Sequence, residues 1–181
     1  IATEVLDYAN KFLSDQKNCG FYGSQDADEE FYQLKPEERM NTGCPYVDKT
    51  IYADWNAMMI SSYLKAGAIL NDKKATEFAI KTADFILDKC YDKKTGLYHY
   101  YDDKPNINGL LSDNIHFLNC LIDIYSATQD KKHLQNMQEI ADFILKNLHD
   151  EKSGGFFDKI SKEGDFGVLK HKEKQFLENS F

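Results

Sequence analysis

The chain repeats itself. The segment "DKKATEFAIKTADFILDKCYDKKTGLY" from Asp72 returns as "DKKHLQNMQEIADFILKNLHDEKSGGF" from Asp130, displaced by 58 residues throughout. Asp-Lys-Lys and Ala-Asp-Phe-Ile-Leu recur unchanged, Asp92 aligns with Asp150, and Gly96 aligns with Gly154. Self-similarity at a fixed offset denotes a supersecondary unit used more than once. The period is longer than that of common solenoids, so each unit holds more than two short helices.

Each unit contains two kinds of helix. Ala75, Phe78, Ala79, Thr82, Ala83, Ile86 and Cys90 form a single apolar stripe on a helix whose other face is charged. His133, Asn136, Met137, Ile140, Ala141, Ile144 and Leu148 occupy the same phases in the second copy. The preceding helix differs. Trp55, Met58, Met59, Ile60, Tyr63, Leu64, Ala66, Ala68, Ile69 and Leu70 leave almost no polar side, and Ile115, Phe117, Leu118, Cys120, Leu121, Ile122, Ile124 and Tyr125 repeat that character. A helix apolar nearly all round is expected to be buried nearly all round. The pattern therefore predicts an all-α fold of helical hairpins, with inner helices in the middle and one-sided helices outside.

The connectors fit this scheme. "TGLYHYY" follows one outer helix, "GGFFDK" follows the next, and "CGFYG" follows an outer-type stripe at Val5, Leu6, Ala9, Phe12 and Leu13. Glycine ends a helix in a left-handed conformation, and the aromatics after it start a short extended segment. The chain opens on an outer helix without an inner partner and closes on "KQFLENSF", which reads as the first turns of another inner helix. Two whole and two partial hairpins amount to about half of a six-hairpin ring. The cut edges are expected to expose apolar surface, to be covered by the rest of a larger ring or, as a homo-oligomer, by a second copy.

Composition narrows the classes. The 181 residues suffice for one domain, and the net charge of −8 without a basic cluster argues against nucleic acid and anionic membranes as partners. No apolar run is long enough to span a bilayer, and "IATEVLDYANKFL" lacks the marks of a signal peptide. Cys19, Cys44, Cys90 and Cys120 form no zinc-type spacing, which points to reduced thiols and a cytoplasmic setting. Phosphate loops, a G-x-S-x-G elbow and metal-ligand motifs are all missing, so neither cofactor nor metal is expected.

Three segments carry a resemblance. "GFYGSQDADEEFYQLKPEE" (20–38), "VDKTIYADWNAMMISSYLKA" (47–66) and "GLLSDNIHFLNCLIDIYSATQD" (109–130) resemble the thioredoxin-domain-containing family that includes spermatogenesis-associated protein 20. The S-Q-D-A-D element together with D-K-x-x-x-x-x-W-N is the specific part. The resemblance implies an internal piece, spanning all 181 residues, of a glycosidase-like (α/α)6 toroid, with the family's N-terminal thioredoxin-like domain lying outside it and serving as a partner. More distantly, the toroid resembles the N-acylglucosamine 2-epimerase and unsaturated glucuronyl hydrolase group, which implies sugar binding in a central funnel. Two departures stand out: the stretch between Glu38 and Val47 is shorter than is usual in the family, and Asp54 replaces the common Ser or Thr before Trp55-Asn56.

Candidate site residues follow from both readings. Asp26 and Asp28 lie past the first Gly-aromatic connector, where carboxylates serve acid–base work or bind sugar hydroxyls, or else form Asx turns and helix caps. Asp113 and His116 open the second inner helix and complete the catalytic candidates; His116 could equally be a hydrogen-bonded core histidine. Trp55 is the only tryptophan, suited to stacking on a sugar or to burial in a core. Asn56, Asp48, Lys49, Tyr22 and Gln25 complete the substrate-binding candidates, while Asp54 aligns with Ser112 as a helix cap. His99 is expected to pack or face water and His133 and His149 to lie on the surface, while His171 precedes an inner helix and could reach the funnel. The two function classes are a carbohydrate-modifying toroid, epimerase- or hydrolase-like, and a binding or scaffold toroid without turnover.

Overall fold

A computed structural model describes residues 1–160. The closing "KQFLENSF" segment and His171 lie outside the described residues. The element order is α1 (Ala2–Phe12), β1 (Ser24–Gln25), α2 (Glu29–Gln33), α3 (Pro36–Thr42), β2 (Val47–Asp48), β3 (Ile51–Tyr52) and α4 (Ala53–Leu70). It continues with α5 (Lys73–Cys90), β4 (Tyr91–Asp92), β5 (Gly96–Asp102), β6 (Lys104–Asn108), α6 (Leu111–Thr128), a 3-10 turn (Lys131–His133) and α7 (Leu134–Asn147).

The repeat becomes physical at the helix ends. Asp72 caps α5 by accepting from Lys74 N and Ala75 N at 2.9 and 3.2 Å, and Asp130 caps the start of the second outer helix through Lys132 N at 2.9 Å. These bonds satisfy amides that have no intrahelical partner. The residue before each cap, Asn71 or Gln129, is left-handed and closes its inner helix. Asp15, Asp92 and Asp150 each bind amides two and three residues ahead, forming the same Asx turn after each outer helix.

Inner helices α4 and α6 pack side by side, with α5 against α4 and α7 against α6. The α5 stripe is buried as predicted at Ala75, Ala79, Thr82, Ala83, Ile86 and Cys90. Phe117 is wholly buried and Met59 half-buried, whereas Lys74 and Lys132 on the outer layer are exposed. Burial of the inner helices is not complete, because α5 and α6 cover only part of α4. Trp55 and Met58 are 46% and 44% exposed, and Ile69 also faces solvent. All four cysteines are free thiols, with Cys90 and Cys120 in the core. Among the described residues no helix is long and apolar enough to cross a membrane.

The connectors form small antiparallel sheets. Strand β5 pairs with β3, β4 and β6, and β1 pairs with β2. Gly96 opens β5 at φ +74°, and a Cβ there would lie 2.5 Å from Phe143 and 2.7 Å from Asn114 Oδ1. Gly96→Ala is therefore expected to lower stability by about 1–3 kcal/mol, read as a reduced urea midpoint; an unchanged midpoint would show that this corner can relax.

Outer helices are tied together by charge. Lys132 reaches Asp84 at 2.7 Å, and Lys93 and the Tyr91 hydroxyl both reach Glu139. His133, expected on the surface, is buried between them. Its Nε2 lies 3.4 Å from Asp84 Oδ1 but makes no hydrogen bond. Burial and then Lys132 act to lower its pKa, with Asp84 and Asp130 opposing, and the net shift is downward. The unfolded chain thus takes up this proton more readily. The contribution is full above the ordinary histidine value of 6.5, declines below it, and is lost as pH falls through the lower folded value. Lowering pH from about 7 to 5 should destabilise the protein more than it does His133→Gln; equal slopes in pH-dependent urea unfolding would contradict this.

Candidate functional site

The connectors and inner helices are joined by a repeated latch. Asn56 on α4 is buried; its Oδ1 accepts from Phe21 N at 2.6 Å, and its Nδ2 donates to the carbonyls of Phe21 and Tyr52. Asn114 on α6, at the same repeat position, accepts from Leu97 N at 3.1 Å and donates to the Leu110 carbonyl at 2.7 Å. One asparagine per unit pins the strand after the glycine to the start of the inner helix. Asn56 therefore serves the main chain, and its repeat partner, which the sequence reading did not pair with it, does the same.

The residue before each latch differs between the units. In the second unit it is Asp113, wholly buried, with Oδ1 3.0 Å from His99 Nδ1 on β5. In the first unit it is Trp55, whose half-exposed ring lies beside Tyr52 at 4.7 Å between centroids. Tyr52 in turn meets His99 edge-on at 5.5 Å, because the β3–β5 pairing sets Tyr52 opposite Tyr100. Asp54, one residue before Trp55, brings a second carboxylate. Donor atoms of Asp54, His99 and Asp113 all lie within 4.8 Å of one another.

Electrostatics bind the pair together. Burial pushes Asp113 above the ordinary carboxylate range, with His99 and His116 working against it and Asp54 reinforcing it. His99 is also raised, first by its hydrogen bond to Asp113 and further by the charges of Asp113 and Asp54, against the cost of burial. Both shifts keep a proton on the pair to higher pH. Nearby Cys90 is no nucleophile, since burial pushes its thiol up to about 12.

The other candidates separate into groups. Tyr22, Trp55 and Asn56 line one cavity of about 310 Å³ together with Tyr52, Met58 and Met59. Asp48 forms an Asx turn with Thr50 N and faces the Tyr52 hydroxyl at 3.5 Å; Lys49 beside it is exposed. Gln25 is held between the Tyr8 hydroxyl and Cys44. Asp28 caps α2 through Phe31 N at 2.9 Å, and Asp26 is exposed, its amide bonded to the Tyr46 carbonyl. Those two acids stand on the first connector, apart from the Asp113 cluster. His116 is half-buried one turn below Asp113. His99, expected only to pack or face water, is the residue that the sequence reading missed. Its signal was the alternation in "GLYHYY", which turns it to the same side as Leu97 and toward α6. The larger cavity of about 870 Å³ lies on the outer wall between α1 and α5 and holds none of the candidates.

No protein-family model matches the chain. It is 26% identical over 143 residues to spermatogenesis-associated protein 20 of Homo sapiens, a match covering 72% of this chain and 18% of that protein. The Rattus norvegicus protein of the same name is 25% identical over 140 residues. The chain is a distant homologue of these proteins and spans about a fifth of their length. Among solved structures, a sugar epimerase from a ruminal bacterium superposes with a TM-score of 0.65 at 21% identity, over 91% of this chain and 41% of that one. Cellobiose 2-epimerase from Spirochaeta thermophila gives 0.62 at 16% identity, over 87% and 38%. A family 76 glycoside hydrolase from a Bacteroides thetaiotaomicron strain gives 0.60 at 14% identity, over 96% and 48%. These likenesses show the fold: the chain is a partial (α/α)6 toroid.

Proposed function

We propose that this chain carries a sugar site of a carbohydrate-modifying toroid, with proton transfer by His99 at a sugar resting on Trp55. The observation that carries the reading is the wholly buried Asp113 holding His99 at 3.0 Å beside the exposed Trp55–Tyr52 shelf. An apolar sugar face stacks on such rings. Asp113 is enclosed and cannot touch a sugar, so it orients the imidazole and stabilises its charged form. The His99 side chain is partly exposed, and its second ring nitrogen is the atom that gives or takes the proton. His116 and Asp54 adjust the charge of the pair.

The spacing favours one reaction type. Asp54 and Asp113 approach within 4.8 Å, short of the roughly 6.5–9.5 Å that inverting hydrolysis needs for its water; the roughly 5–5.5 Å of retaining hydrolysis is close, but it needs both carboxylates at the sugar, and Asp113 is enclosed. Acid–base exchange at one sugar carbon, of epimerase or isomerase type, fits better. The relatives' folds, found in epimerases and a glycoside hydrolase, support the substrate class. Tyr22 and Met58 widen the stacking cavity. Asp48 and Lys49, at the end of β2 and just beyond it, and Gln25 on β1 form the polar side of the first connector, and Asp26 and Asp28 its acidic rim.

A panel of mono- and disaccharides tests the reading, with Trp55 fluorescence reporting binding and product analysis reporting conversion. Saturable quenching by a sugar that is also converted is expected. Binding without conversion would favour the scaffold reading, which the commitment of Asn56 and Asp28 to main-chain bonds supports. No binding by any sugar would overturn both the substrate class and the role of Trp55.

A further inference from the structure

The start of α6 meets more than an acid–imidazole pair. Asp54, His99 and Asp113 come from α4, β5 and α6, so three separate elements converge to place three donor atoms within 4.8 Å of one another. Asp113 contributes a second, independent observation: its Oδ2 is buried and accepts no hydrogen bond among the described residues, while Oδ1 faces His99. A buried carboxylate oxygen without a donor is stabilised by a cation.

We propose that Asp54, His99 and Asp113 form a binding site for a divalent first-row transition-metal ion of the Zn²⁺ type. One imidazole nitrogen with two carboxylate oxygens suits such a borderline cation, whereas Ca²⁺ and Mg²⁺ take oxygen donors. The 3.0 Å between His99 Nδ1 and Asp113 Oδ1 is close to the spacing of about 3.3 Å between two ligands on a tetrahedral ion with bonds of about 2.0–2.1 Å. The ion displaces the proton on His99 Nδ1 and sits beside the Asp113 carboxylate, so its charge also compensates Oδ2, which has no donor among the described residues. Asp113 and His99 are fixed by helix and sheet, while half-buried Asp54 at the rim of α4 rotates in as the third ligand and leaves the fourth position open. On the acid–base reading above, such an ion silences proton transfer through His99. That consequence rests on the sugar reading; the binding site does not.

The experiment titrates the purified, chelator-treated protein with ZnCl2 by calorimetry and with CoCl2 by visible absorption, with Trp55 emission followed in parallel. One equivalent per chain is expected, with an intense low-coordinate Co²⁺ spectrum and quenching of Trp55, the neighbour of Asp54. His99→Gln should weaken binding at least about 100-fold and Asp54→Asn by about 10–100-fold, while His149→Gln, on an outer helix end, keeps the wild-type affinity. Asp54 lies at the rim, so its variant tests the site even if His99→Gln disturbs β5. Absence of a stoichiometric site, or equal affinity in all three variants, would overturn the proposal. Sugar conversion by the metal-free protein is scored separately, so failure of either idea is seen on its own.

Discussion

Asn114→Ala is expected to lower the unfolding free energy by about 1.5–4.5 kcal/mol. Asn114 holds two main-chain groups in the core, the Leu97 amide at 3.1 Å and the Leu110 carbonyl at 2.7 Å. Alanine leaves the buried Leu97 amide unpaired, at about 1–3 kcal/mol, and removes one bond of about 0.5–1.5 kcal/mol from the part-buried Leu110 carbonyl, which keeps its place as the first acceptor of α6. That is a large part of the roughly 5–15 kcal/mol that holds a domain folded. The strand after Gly96 loses its anchor, and with it the placement of His99. Asn56→Ala should behave alike, since Asn56 makes the same bonds to Phe21 and Tyr52. Denaturant unfolding checks both variants. A loss below about 0.5 kcal/mol at either position would mean that water replaces the amide without cost, and the latch would not be what joins strand to helix.

His99→Gln is expected to reduce turnover of the converted sugar by about 10²–10⁴-fold with little change in binding. Glutamine keeps the size and polarity of the side chain but cannot carry the proton. Asp113→Asn should fall in the same range by a different route. Its amide is close in shape to the carboxylate but cannot stabilise an imidazolium, and it fixes the ring in another tautomer. Trp55 quenching by the sugar should persist in both variants, because the aromatic shelf is untouched. Turnover within about threefold of wild type in either variant would move the chemistry away from this pair.

The fold was readable because its two helix types differ in hydrophobic period. The stripe of α5 is buried at every position but Phe78, which is half-buried, and the Asp of each Asp-Lys-Lys is a helix cap. What remained hidden depends on contacts between distant segments. His99 and Asp113 lie on different elements, and only the β3–β5 pairing and the Asn114 latch bring the strand beside α6. Asp28 shows the opposite difficulty: its setting after an aromatic connector suits chemistry, yet its carboxylate binds the Phe31 amide as a cap. The alternation of aromatics around His99 and the repeated Asn at 56 and 114 were both visible in the chain, but a period says which residues share a side and not what lies opposite. His133 was placed on the surface because it starts an outer helix, whereas the ion pairs between α5 and the second outer helix enclose it.

The structure of the protein with a bound sugar tests the central claim most directly. The account predicts a sugar ring flat against Trp55, with a hydroxyl or carbon within hydrogen-bond reach of the second ring nitrogen of His99. A sugar seated among Asp26, Asp28 and Lys49, with Trp55 and His99 both untouched, would contradict it.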